Sequence, residues 1–260
     1  MAQLIVVSLL FSSMMYYSLH LKTHISIKYL LIDNIIVAII AATLTYVVFG
    51  PRWYTYIISV SSLPVYAFLN LQLRFWRNPN RKLTATENQI VSPADGNIIY
   101  IKRIEERDEF VSVKKGDSSA LHEIIQTDLV KTPCWQIGIN MTPFDVHRNC
   151  SPIHGKILLS KHTKGKYLSL KNPGSVSENE RHTYVIENQC CRIAVVQIAS
   201  KQVRRIDSYV VEGQEVDKGT WIGMIRFGSQ VDIFLPISAV LKVKLKQQLY
   251  AKSSIIAELV

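Results

Sequence analysis

The sequence predicts an α+β protein, a mainly antiparallel β domain carried behind an N-terminal transmembrane helical hairpin. Three observations predict it. The first third of the 260-residue chain is strongly apolar and nearly free of acids: residues 1–82 hold seven Lys or Arg and one acid, Asp33. Residues 83–260 hold 23 basic and 19 acidic side chains and break into short β-branched and aromatic runs between Gly, Pro, Asn and Asp. Seven minus one places +6 of the formal net charge of +10 on the apolar third. That distribution argues for a membrane surface and against a folded nucleic-acid-reading face.

In chain order, residues 2–19 are uncharged, residues 35–49 are almost purely aliphatic, and residues 53–73 are aromatic-rich with Pro64 inside. A crossing takes about 20 apolar residues. The hairpin is therefore placed at about 30–49 and 53–73, turning at Gly50-Pro51-Arg52, within an anchoring region of residues 1–82. Whether residues 2–19 also cross is left open. Lys22 and Lys28 on one flank and Arg74, Arg77, Arg81 and Lys82 on the other share a side, with only Arg52 across. The positive-inside bias then puts the following domain in the cytoplasm, on the inner or plasma membrane of a prokaryote. Asp33 is expected at the headgroup level. The Arg74–Lys82 cluster would add about 1 kcal/mol per cation against an anionic leaflet.

From Ile90 onward, strands are expected at 97–102, 134–141, 183–187, 192–198, 220–227, 229–235 and 239–246, and a helix at 119–127. Residues 241–246 alternate as a half-buried strand does. These make one β-rich domain, residues 83–260. Cys134, Cys150, Cys190 and Cys191 contain no C-x-x-C and read as reduced, packed thiols. His20 and His24 have metal-like spacing but no acidic or thiol partner nearby, so no metal is expected.

Four clusters carry chemical potential. In VSPADG (91–96), Asp95 taken singly is an ordinary turn residue before a permissive glycine. In MTPFDVHRN (141–149), Asp145 and His147 lie two apart, so on a strand they would share a face and a site. ENER (178–181) reads as a solvated loop. In IGMIRFGSQVDIFLP (222–236), Gly228-Ser229 interrupts an otherwise continuous apolar strand. A mid-strand glycine marks a bulge or a bend. A bend there would let Ser229 Oγ attack the Gly228 carbonyl carbon, with the proton taken by a base elsewhere in the fold. The resulting ester, after elimination at the serine and hydrolysis, leaves a ketone on a new N-terminus.

Together these segments resemble the phosphatidylserine decarboxylase family, in particular its short branch that includes archaetidylserine decarboxylase-type proteins. The matching residues are FWRNPNR (75–81), SPADG (92–96), TPFDVHRN (142–149) followed by Pro152 and Gly155, ENER (178–181), QIASKQVRRI (197–206), GQEVDKG (213–219) and MIRFGSQVDIFLP (224–236). They stand in the family's order over about residues 75–236. The resemblance implies a proenzyme cut between Gly228 and Ser229 into a β chain, 1–228, and an α chain, 229–260. These two chains would remain together as a heterodimer, with further oligomerisation open. Ser229 would supply a covalently bound pyruvoyl group, with neither PLP nor metal. The resemblance assigns Asp95 to the self-cleavage machinery and His147 to catalysis. Longer members carry a second histidine where this chain has Cys150, so His147 is expected to serve both steps. Ser200 and Gln230 stand where Gly and Arg are usual. Arg204 and Arg205 are candidates for the substrate phosphate. The partner implied is a phospholipid in the membrane, decarboxylated at its serine headgroup; no nucleic acid is implied.

A rival class is a non-enzymatic, membrane-anchored barrel-sandwich adaptor of the lipoyl-domain type, which Gly213–Gly219 and the strand after it would suit. It needs heptads between anchor and domain, which are absent from the sequence, and it leaves SPADG, D-V-H and Gly-Ser without a role. A β-rich zinc peptidase would need a His-Asp plus His-x-His set that the chain does not carry.

Overall fold

A computed structural model describes residues 1–23, 27–105, 124–125, 127–169, 174–200, 205–226 and 229–259. Gly228, Arg204 and most of the expected 119–127 helix lie outside these residues, and Ser229 is described through its backbone. The chain forms two compact units, Met1–Arg77 and Asn78–Val260.

The first unit is three mutually packed helices, α1 (Ala2–Thr23), α2 (Ile27–Phe49) and α3 (Trp53–Trp76). Buried residues on α2 recur as Leu30, Asp33-Asn34, Val37-Ala38, Ala41-Ala42 and Thr45, one stripe at helical spacing. Its small residues admit close helix approach. The unit is inverted relative to a water-soluble bundle. Ser8, Ser12, Asn34, Thr55 and Ser59 are buried, whereas Leu10, Phe11, Ile39, Ile40, Val47 and Phe68 face outward. Ser8 Oγ lies 2.8 Å from Ser59 Oγ, and Asn34 Nδ2 donates to Ser13 Oγ at 2.8 Å. Polar groups thus satisfy one another inside while hydrocarbon is left outside, as a lipid environment demands. All three helices are long and apolar enough to cross a membrane. The stretch 2–19 is therefore part of a helix of the same kind as the two in the expected hairpin. Asp33 faces α3 and is ion-paired with Arg74 inside the bundle, because a carboxylate among apolar helices needs a counter-ion.

In the second unit the strands are β1 (Gln89–Val91), β2 (Gly96–Ile104), β3 (Cys134–Met141), β4 (Arg148–Cys150), β5 (Gly155–Thr163), β6 (Arg181–Glu187), β7 (Arg192–Ala199), β8 (Ile206–Ser208), β9 (Glu215–Val216), β10 (Trp221–Ile225), β11 (Ser229–Pro236), β12 (Val240–Leu241), β13 (Gln248–Leu249) and β14 (Ile255–Glu258). One helical turn, α4 (Ser175–Glu178), precedes β6. Every pair among the described strands is antiparallel, as expected from the sequence. Eight strands form the main sheet, in the order β13-β2-β3-β11-β7-β6-β5-β9, and two three-stranded sheets, β1-β14-β12 and β4-β10-β8, complete the unit.

The centre of the main sheet is covered on both faces. Ile137, Ile139, Val195, Val231 and Ile233 enter one core; Cys134, Ala194, Val196, Ile198 and Phe234 enter another with Ile124, Ile125 and Val130. Double coverage explains why β7 and β11 read as nearly continuous apolar runs rather than as alternation. The expected strand 239–246 is shorter than its pattern suggests, stopping at Leu241. Lys246 adopts φ 66° and its N–H bonds back to Ile98 O, so the chain turns there, leaving Leu245 exposed.

Candidate active site

The chain joins the main sheet to the sheet β4-β10-β8 between β3 and β4, between β7 and β8 and between β10 and β11. Ser229 opens β11 and is paired with Met141, the last residue of β3, and Ala199, the last residue of β7. Ile225 closes β10; its N–H donates to His147 O at 3.1 Å, and it is paired with Ile206, the first residue of β8. At this corner the loop 142–147 is therefore pinned at both ends, through Met141 to Ser229 and through His147 to Ile225. β10 ends at Ile225 in one sheet and β11 begins at Ser229 in another, which is why one apolar run becomes two strands. Gly223 keeps β8 and β10 close: a Cβ there would lie 2.5 Å from Tyr184 Oη and 2.6 Å from Asp207 O.

His147 is fully buried at the end of its loop. The expected pairing of the Asp145 carboxylate with the His147 ring is not what forms, because 142–147 is a turn rather than a strand. Asp145 Oδ2 instead accepts from the Thr142 N–H and hydroxyl, both at 2.7 Å, and closes the turn. Burial pushes the Asp145 carboxyl above the usual range. The His147 ring meets the backbone, with Nδ1 2.9 Å from Asp145 O. A carbonyl oxygen only accepts, so Nδ1 carries the proton and Nε2 is the basic nitrogen of the neutral ring.

Asp95 is buried and held from three sides. Arg81 grips both carboxylate oxygens, Ala251 N–H donates to Oδ1 at 2.8 Å, and Val146 N–H donates to Oδ2 at 3.3 Å. Gly96 beside it takes φ 144°, and a Cβ there would sit 2.3 Å from Asn140 O, so this turn admits only glycine. Arg81, read from the sequence as a membrane-flanking cation, also donates to Ala251 O at 3.1 Å and lies over the Tyr250 ring. With Arg74 and Arg81 both tied to buried carboxylates, the expected pull of four cations on an anionic leaflet is reduced. Cys150 packs against this loop, its Sγ 3.4 Å from Ser92 O, and burial pushes its thiol up to about 12, so it stays protonated near neutrality.

ENER is not a solvated loop. Asn179, Glu180 and Arg181 are buried. Asn179 Nδ2 donates to Ala199 O at 2.8 Å, and Glu180 O accepts from Ala199 N–H at 2.9 Å, so this motif buttresses the residue paired with Ser229. Arg205, just before β8, binds Asp207. On β11, Gln230 faces away from the Val231–Ile233 core and donates to Tyr100 Oη and Asp232 Oδ1 at 2.6 and 2.7 Å. Gln136 and Tyr100 donate to Asp232 Oδ2, and burial raises the Asp232 carboxyl. Asp207 and the Tyr100–Asp232 network carry no local signature in the sequence, since their partners come from distant strands.

The class these features define is a β domain that carries a buried histidine in the loop flanking Ser229 and Ile225, preceded by three helices long and apolar enough to cross a membrane. Residues 68–257 match the model of the phosphatidylserine decarboxylase family. The chain is 36% identical over 187 residues to a phosphatidylserine decarboxylase proenzyme of Cytophaga hutchinsonii, covering 72% of this chain and 76% of that one. A phosphatidylserine decarboxylase proenzyme of Amoebophilus asiaticus is 39% identical over 188 residues, 72% of this chain and 75% of that one. A Methanocaldococcus jannaschii protein named as an archaetidylserine decarboxylase proenzyme is 35% identical over 196 residues, 75% of this chain and 93% of that one. The chain belongs to the phosphatidylserine decarboxylase family, and membership in a family of enzymes removes the adaptor reading.

Proposed function

We propose that the chain is a proenzyme that cuts itself between Gly228 and Ser229 and then decarboxylates phosphatidylserine to phosphatidylethanolamine and CO2. The observation that carries this is the placement of Ser229 at the change of sheet, with the His147 loop anchored to both flanks of the junction. In the cut, His147 Nε2 takes the Ser229 hydroxyl proton and Oγ attacks the Gly228 carbonyl, breaking the C–N bond and forming an ester. Elimination releases the Gly228 carboxylate, and hydrolysis of the remaining residue releases ammonia and leaves the pyruvoyl group on the α chain. Such a ketone, once formed from Ser229, would supply an electron sink for the pair left by departing CO2, the part PLP plays elsewhere.

The residues of this chain supply the rest. His147 Nε2 delivers a proton to the former α-carbon, a step worth about 10² to 10⁴ in rate. Asp95 positions rather than deprotonates: its oxygens are engaged by Arg81 and two N–H groups, and through Val146 it fixes the residue before His147. The second unit lies on the cytoplasmic side, because Lys22, Lys28, Arg74 and Arg77 bias one end of the helix bundle to that face. The substrate stays in the bilayer, and the anchor holds the site where its headgroup emerges.

Intact mass measurement of the folded protein tests this. Two polypeptides are expected, the smaller of 32 residues (229–260), lacking the serine amine. Ser229→Ala should remain one uncut, inactive chain. A folded wild-type protein with the mass of the intact chain would falsify the reading, as would borohydride failing to fix a labelled aminophospholipid to the small fragment.

A further inference from the structure

The corner carries a charged group that the self-cleavage chemistry leaves unused. Arg205 and Arg226 converge on one carboxylate, Arg205 Nε on Asp207 Oδ1 at 2.6 Å and Arg226 Nε on Asp207 Oδ2 at 2.8 Å. Arg226 N–H also donates to Arg205 O at 3.1 Å, so the two residues are tied through backbone and side chain alike. Arg148 is paired with Met224, whose other neighbour is Asp207, and Tyr209 lies within electrostatic reach of Arg148, Arg226 and Asp207. Two cations therefore share one anion, for a net charge of +1 on the triad, with Arg148 one strand further on.

The exposures set the direction in which this group works. The Asp207 side chain is 15% exposed, whereas Arg226 is 38% and Arg205 67% exposed. The carboxylate lies beneath and the guanidinium groups face out. Exposed ion pairs of this kind add little to stability, so holding the fold is a weak reason for the arrangement. Both arginines engage Asp207 through Nε, and with five N–H donors on each guanidinium such a pair can meet a tetrahedral oxyanion while keeping its other partners. Arg226 stands two residues before Gly228, and two residues of chain reach about 7 Å at most.

We infer that Arg205 and Arg226, positioned by Asp207, bind the phosphodiester of the substrate. This rests on the proposed function and goes beyond it by assigning the headgroup phosphate to a particular arginine pair and an organising carboxylate. The serine carboxylate is the wrong occupant. Arginines clamped on it would stabilise the ground state against loss of CO2, whereas a phosphate held beside the reacting centre lends binding energy to orientation without resisting the reaction. The cluster also makes the phosphate a selection element: serine without a phosphodiester forfeits these contacts.

The experiment uses the full-length protein in phosphatidylcholine vesicles containing phosphatidylserine, with rates normalised to the borohydride-trappable pyruvoyl content. Arg226→Gln should raise the surface KM at least 10-fold while kcat per pyruvoyl changes by less than about 3-fold. Arg205→Gln, at an exposed position, gives the same direction of effect if Arg226→Gln impairs folding or cutting. Asp207→Asn should raise KM as well, and Asp207→Glu should recover most of the loss. Glycerophosphoserine should inhibit the wild type competitively and lose potency in the arginine variants in step with KM. Unchanged KM and inhibitor potency in both arginine variants overturn the inference. So does a variant in which KM stays put and the α and β chains separate more readily, which would give the cluster to the new Gly228 carboxylate. A wild type that neither cuts nor releases CO2 overturns the proposed function instead, and with it this inference.

Discussion

Asp95 and His147 stand on different loops, linked by the Val146 N–H that donates to Asp95 Oδ2. Because Asp95 is clamped by Arg81, its role can be separated from that of a base. Asp95→Asn should slow the appearance of the small fragment by about 10²-fold, the scale of effect expected from displacing a catalytic group by about 1 Å. Arg81→Gln should slow it comparably; an effect of Asp95→Asn with none of Arg81→Gln would make Asp95 the base. A second residue-scale expectation concerns His182, which is buried beside His162 and whose pKa is lowered to about 4. The unfolded chain takes up this proton first, near its ordinary value of about 6.5. Stability therefore falls as pH drops from about 6.5 to about 4, by about 2–3 kcal/mol from this group. Denaturant titrations across that range should show a shallower loss for His182→Gln than for the wild type.

At the scale of elements, what the sequence discloses follows from what is local. The strands at 134–141 and 192–198 were legible because double coverage gives long apolar runs, and Gly228-Ser229 because a glycine interrupts such a run. The burial of ENER was not legible, since Asn179 is enclosed by Ala199 and Leu168, which no local pattern places beside it. Nor was the Arg81 clamp, whose partners lie 14 and 170 residues away. The stretch 241–246 shows the opposite failing: alternation was present, and a single residue at positive φ, Lys246, overrode it. The D-x-H spacing suggested side chains sharing a strand face, and the turn-closing bonds of Asp145 to Thr142 decided otherwise. Among these elements, β8 and β10 pair at Gly223, where a Cβ would lie 2.6 Å from Asp207 O. Gly223→Ala should cost about 1–3 kcal/mol, the usual range for overpacking. It should also slow the cut, because the added methyl group must push β8 away; chemical denaturation and fragment yield check the two effects.

At the scale of the whole molecule, the two units differ in which solvent they suit. The helices bury hydroxyls and expose hydrocarbon; the β unit buries hydrocarbon in two cores. That contrast was readable from the charge ledger of the first 82 residues, whereas the internal pairing of Asp33 with Arg74 required the helices to be brought together. β11 lies in the middle of the main sheet between β3 and β7, and β13 pairs with β2 at its edge. The 229–260 segment thus threads the sheet that the rest of the unit forms. Refolding after urea should distinguish the two forms. Ser229→Ala, a single chain, should regain its native spectrum, while the mature protein should recover poorly and with a yield that falls on dilution.

Under the proposed cut, a junction immediately before a central strand would make maturation irreversible. The fragment that would carry the ketone is also a wall of the core, so it would stay in place without any covalent tether. Heat or denaturant that once parts the pieces would leave two orphans, neither able to template the other or to make the ketone afresh. Each molecule would then have a single active lifetime, and a cell could restore lost capacity only by new synthesis.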